Sequence, residues 1–182
     1  MLYRTIRCLS LASVLTFASF FTSCTDPVRD RAIERLGEED PAVPMGPEHR
    51  PGQPCVLCHS DGGPASGQPF AIAGTIFKTS SADSEGAADV DVLFIDSNSA
   101  TRNTTTNAAG NFYIRESEWQ DLAFPFKTGV KAQGKDQRPM ISTVNREGSC
   151  NFCHKPNPGS RYAFPDDDPR ESVGQIYSEL TP

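Results

Sequence analysis

The chain has 182 residues, 37% of them hydrophobic, with 15 Pro, 14 Gly and a formal net charge of −6. That length allows one or two domains, and so much Pro and Gly favours turns and short strands over long helices. The acidic balance excludes partners that call for clustered Lys and Arg, such as nucleic acid or anionic lipid headgroups.

Residues 1–23 read as a signal peptide. Arg4 and Arg7 give the positive start, and Leu9 to Phe21 is an uncharged, mostly apolar run too short to span a bilayer. The following Phe21-Thr22-Ser23-Cys24 resembles a bacterial lipobox, with Phe21 where Leu is usual. It makes Cys24 the lipidated first residue of the mature protein; the alternative is an ordinary signal peptide and an incidental Cys. Removing residues 1–23 takes away two Arg and no acid, leaving −8. The expected location is therefore exported and lipid-anchored to a bacterial membrane, with no spanning helix needed. By analogy with such lipoproteins, Thr25 after the Cys favours the outer membrane, facing the periplasm or the surface.

Residues 24–54 read as a tether. Asp26-Pro27 is a helix start, Gly37 a stop, and Pro41, Pro44, Pro47, Pro51 and Pro54 then favour extended, semi-rigid backbone. Next comes Cys55-Val56-Leu57-Cys58-His59, and the pattern recurs as Cys150-Asn151-Phe152-Cys153-His154. In an exported protein the pattern C-x-x-C-H is a c-type haem attachment signal: two thiols form thioethers to the porphyrin and the His supplies the proximal nitrogen to iron. Cysteine usage agrees. Of six Cys, Cys8 leaves with the signal peptide, Cys24 takes lipid, and four remain in the two pairs. Alternatives are disulfides among Cys55, Cys58, Cys150 and Cys153, or a Cys₄ zinc site, which has no need of His59 or His154 and is less expected in an oxidising compartment.

The sequence holds three His. His49 is the one outside the motifs, so it is the leading candidate for a sixth iron ligand, and at most one haem can be bis-His. Met45 and Met140 are weaker candidates; Met140 follows Pro139 on an expected strand and reads more readily as core. Asp166 to Asp168 suits a solvated acidic turn better than a calcium site. Val173 to Leu180 adds a last strand or a short helix.

Between the motifs the pattern is β. Residues 70–77, 89–96, 101–106, 111–114, 126–133 and 139–144 read as strands, 101–106 as an edge strand, and 116–124 holds one helical turn carrying the single Trp, Trp119. Ile72-Ala-Gly-Thr-Ile76, Gly86-Ala-Ala-Asp-Val-Asp-Val92 and Thr104-Thr-Thr-Asn-Ala-Ala-Gly-Asn-Phe-Tyr-Ile114 resemble a carboxypeptidase-regulatory-like domain. The resemblance implies a transthyretin-like β-sandwich and a structural or binding module, with no catalytic set to carry over.

The expected architecture is all-β: a small transthyretin-like or Ig-like antiparallel sandwich with haem-binding loops at its ends and a Pro-rich N-terminal tether. Its parts are a first C-x-x-C-H loop at 55–68, the sandwich at 69–145 and a second loop with the C-terminal segment at 146–182. Six antiparallel strands would return the backbone to its starting pole and make the motifs neighbours. The expected function is electron transfer by two covalent haems c with a redox partner protein or other cytochromes, and not enzymatic, although chemistry at an open haem site is not excluded. The alternative, from another class, is a non-redox surface lipoprotein whose C-x-x-C pairs form disulfides or bind Zn²⁺ around a binding module.

Overall fold

A computed structural model describes residues 26–39, 41–43, 45–163, 170 and 172–179. The signal peptide, Cys24, Thr25 and the acidic run Asp166 to Asp168 lie outside the described residues. The β elements are β1 (Phe70–Thr75), β2 (Asp91–Ile95), β3 (Thr101–Thr105), β4 (Asn111–Arg115), β5 (Lys127–Lys131) and β6 (Arg138–Pro139). They form two antiparallel sheets, β1-β4 and β3-β2-β5-β6. The protein is an all-β antiparallel sandwich, as its alternating short segments imply.

Side-chain period explains how each strand is used. In β2, Val92 and Phe94 turn inward while Asp91 and Ile95 are exposed, the alternation of a strand with one solvated face. In β4, Phe112 and Ile114 point into the core and Tyr113 out. Strand β3, Thr-Arg-Asn-Thr-Thr, has no hydrophobe to bury and lies at the sheet edge, where polar side chains oppose further pairing. Strand β1 is nearly all buried because it is covered on both faces. The core between the sheets gathers Ile72, Ile76, Val90, Val92, Phe94, Phe112, Ile114, Trp119 and Phe126. A short 3₁₀ turn at Glu116–Glu118 delivers Trp119 into it.

Among the described residues three short α-helices lie outside the sheets: α1 (Pro27–Arg35), α2 (Cys55–Cys58) and α3 (Cys150–Cys153). Helix α1 starts as the sequence implies, with the Asp26 carboxylate accepting from Val28 and Arg29 N–H, but buries no residue. Among the described residues no helix is long and apolar enough to cross a membrane. The C-terminal segment runs as an extended strip beside Phe77, through Phe77 N–H to Ile176 O at 2.8 Å and Ser178 N–H to Phe77 O at 2.8 Å.

The Pro-rich segment is irregular and fastened to the sandwich at its far end. Arg50 donates to Glu39, Gln53 and the carbonyls of Leu36 and Gly37, which ties the end of α1 to the loop before the first motif. Arg29 reaches Asp61 O at 2.8 Å, just past that motif.

Candidate haem-attachment sites

Each C-x-x-C-H folds as one helical turn that ends at its His. The His59 N–H bonds Cys55 O at 2.9 Å, and the His154 N–H bonds Cys150 O at 2.9 Å. The two His adopt nearly the same backbone, φ −92° and ψ 52° against φ −95° and ψ 61°. Five residues thus repeat one geometry in two places of the fold. One turn puts both thiols of a pair on the same side with the imidazole beyond them, as the 1,4,5 spacing demands.

Both turns dock on β1. His59 O accepts from Phe70 N–H at the start of the strand, and Gly148 O accepts from Ala73 N–H in its middle, beside an isolated Ala73–Ser149 bridge. At Gly74 a side chain would put its Cβ 2.8 Å from that of Cys150, so this position keeps the second turn against the strand. The motifs are neighbours, as even strand parity predicts, yet the physical cause is different. They share one strand instead of one pole of the sandwich.

Both imidazoles are held the same way. His59 Nδ1 lies 2.8 Å from Gln68 O, and His154 Nδ1 lies 2.9 Å from Gly174 O. A carbonyl only accepts, so each Nδ1 carries a proton, and in the neutral ring Nε2 is then the nitrogen with the lone pair. Steering of one ring nitrogen by a backbone carbonyl fixes the tautomer that ligates metal through the other. Burial, opposed by the Gln68 bond, pushes the His59 pKa below its ordinary value, so the ring is neutral and able to ligate at neutral pH. The ring is flanked by Phe70, centroids 4.0 Å apart and nearly parallel, and Phe70 stacks in turn on Tyr113 at 4.6 Å. This ladder limits rotation of the imidazole.

What faces each His differs. His49 stands beside His59, ring centroids 5.9 Å apart. Two imidazoles on opposite sides of one ion, at metal–nitrogen distances of ~2 Å, would have centres roughly 6 Å apart. His49 Nδ1 is also bonded to a backbone carbonyl, that of Gly46, which leaves its Nε2 for a ligand. The second motif instead borders a cavity of about 890 Å³, within the range of small-molecule and cofactor sites. Cys150, Cys153 and His154 line it, with Met140 and the exposed apolar side chains of Ile141, Phe152 and Val173. Met140 is half-buried at this cavity rather than in the core between the sheets, whereas Met45 is 85% exposed.

The four cysteines are free. Cys55 and Cys150 keep some exposed surface as whole residues, yet the atoms packed around their thiols push each pKa up to about 12 by desolvation. Burial also raises that of Cys58, with Arg50 opposing. Among the described residues no group of three or more His, Cys, Asp and Glu converges on a point suited to a metal ion. Paired thiols and a neutral His59 imidazole suit covalent haem at the first motif, and paired thiols with an apolar cavity suit it at the second.

The groups that steer the imidazoles, Gln68 O and Gly174 O, do not stand out in the sequence, and neither do Phe70, Thr75 and Asn111. Backbone carbonyls have no residue signature. Asn111 reads in the sequence as the first residue of the strand 111–114, and its buried position is a tertiary fact. Comparisons with protein-family models, curated proteins and solved structures return no match.

Proposed function

We propose that the protein is an exported, lipid-anchored di-haem c-type cytochrome that transfers electrons, with the sandwich as the scaffold that holds both haems along one strand. The observation that carries this reading is the repeated proximal geometry. Two C-x-x-C turns each present a His whose Nδ1 is bonded to a backbone carbonyl and whose Nε2 is free. Disulfides or zinc would require no such steering.

Cys55 and Cys58 would hold one haem and Cys150 and Cys153 the other, with His59 and His154 as proximal ligands. Bound haem supplies the one-electron ferric/ferrous couple. The residues do the rest. His49, whose ring centre lies 5.9 Å from that of His59, would be the second imidazole ligand of the first site. Met140 lines the second cavity and is the sixth-ligand candidate there. Phe70 and Tyr113 hold the orientation of the first imidazole. A Met ligand raises potential relative to His, so the two sites would differ in potential and give electrons a preferred direction. The carboxypeptidase-regulatory-like resemblance supports a scaffold role for residues 69–145, and the lipobox resemblance at Cys24 supports anchoring.

The test is intact mass and a pyridine haemochrome spectrum on protein made in a host with cytochrome c maturation. Two covalent haems per molecule are expected. A colourless protein four hydrogens light would establish two disulfides and overturn the reading; zinc bound to four thiols would overturn it in favour of the clamp.

A further inference from the structure

The sandwich does more than carry the two turns, because its buried polar groups reach the loop that bears His49. Asn111 is 6% exposed, at the first position of β4. Its Nδ2 donates to His49 O at 3.0 Å and to Pro47 O at 3.3 Å. Its Oδ1 accepts from the Thr75 hydroxyl at 2.7 Å, and Thr75 Oγ1 in turn accepts from Gly52 N–H at 2.7 Å. Asn107 adds a donor to Pro47 O at 2.6 Å. The loop from Pro47 to Gly52 is thereby bonded at both ends to β1, β4 and the turn between β3 and β4. Arg50 also fastens this loop, but to α1, which buries nothing. The Asn111–Thr75 pair ties His49 to β1, the strand whose Phe70 holds His59.

Buried polar side chains that satisfy one another are costly to disturb and fix a single geometry. An amide supplies the acceptor for Thr75 and the donors for two carbonyls from one side chain. We infer that Asn111 is a positioning residue for the sixth iron ligand, holding His49 at the distance from His59 at which both close on one haem. The inference rests on the haem reading. It gives the sandwich a part in setting coordination, so that the first haem stays closed to outside ligands.

The experiment is a double-mutant cycle of Asn111→Ala and His49→Ala on the full-length protein with both covalent haems. The readout is carbon monoxide affinity of the ferrous protein together with the ferric low-spin electron paramagnetic resonance signal. If the open form of the first haem is ~1% populated, His49→Ala raises its affinity about a hundredfold. Asn111→Ala, which removes two neutral hydrogen bonds to the loop, raises it about tenfold and converts part of the low-spin signal. In the His49→Ala background it adds nothing further. An affinity within twofold of the parent for Asn111→Ala alone would overturn the inference. So would a tenfold effect that persists without His49, because that marks a general structural change. If Asn111→Ala does not fold, Asn107→Ala runs the same cycle through the bond to Pro47. Intact mass separates the two levels: protein with no haem on Cys55 and Cys58 overturns the haem reading and this inference with it.

Discussion

The two C-x-x-C-H regions are alike within five residues and unlike beyond them. Each turn closes with the His N–H on the first Cys carbonyl, and each Nδ1 rests on a carbonyl at 2.8 or 2.9 Å. Past that point the first region is closed by His49 and a fastened loop, while the second opens on a cavity of about 890 Å³. The proximal half of a site is therefore local grammar, and the distal half is tertiary structure. If both motifs carry haem, two equal motifs would hold two unequal irons. The largest test of that equality is removal of each pair. Cys55→Ser with Cys58→Ser, and separately Cys150→Ser with Cys153→Ser, should each cost one whole haem by intact mass and leave the other. Loss of both haems from either variant would show that the turns depend on one another through β1.

The next test compares the thiols in haem-free protein. Thiolate is the reactive form, and burial pushes Cys55 and Cys150 up to about 12. At neutral pH each should carry about a thousandfold less thiolate than an ordinary thiol. Alkylation followed by peptide mapping should find exposed Cys153 labelled first, with Cys55 and Cys150 gaining roughly tenfold per pH step as the pH rises toward 12. Equal labelling of all four at pH 7 would contradict the packing of the first cysteines. A third test turns to the distal side. His49→Ala should open one haem to carbon monoxide about a hundredfold. Met140→Ala should leave that haem alone and lower the potential of the other, read by redox titration. An effect of Met140→Ala on the same haem as His49→Ala would erase the assigned difference between the sites.

Most of the sandwich was legible because its residues obey a two-residue period. Val92 and Phe94 face in, Thr101 to Thr105 offers nothing to bury, and Trp119 follows a helical turn, so these elements lie where those patterns put them, whereas the strand expected over 139–144 is reduced to Arg138–Pro139. The C-x-x-C-H motifs stand out because they are contiguous residues, but they read as loops and each folds as one helical turn. His49 stood out by elimination among three His. The steering carbonyls of Gln68 and Gly174 were not legible, because every residue has a carbonyl and the choice is made by packing. The docking of the segment before Cys55 was hidden too. Its prolines indicate stiffness, but the bonds of Arg50 and Asn111 that fasten it join residues up to 64 positions apart. Met140 misled because an apolar residue beside a strand is usually core; here it borders the cavity of His154.

The smallest effects separate the two regions by how tightly each is locked. Gly52 sits at φ +82°, in the loop that carries His49, and an added Cβ would lie 2.6 Å from Pro156 Cγ and 3.3 Å from Phe77 Cζ. Gly52→Ala therefore combines left-handed backbone strain with overpacking against a rigid ring, and should cost about 2–4 kcal/mol in denaturant unfolding. Gly74 lies in β1 with no such backbone demand, and its Cβ would meet Cys150 Cβ and Phe112 Cζ, each at 2.8 Å. The second turn borders an open cavity into which it can shift, so Gly74→Ala should cost less, about 1–3 kcal/mol. The spectra should split the same way. Gly52→Ala is expected to weaken the low-spin signal of the first haem by displacing the His49 loop, and Gly74→Ala to perturb only the haem on Cys150 and Cys153. If Gly74→Ala instead disturbed the first haem and Gly52→Ala neither, β1 rather than the His49 loop would be what holds the first site shut.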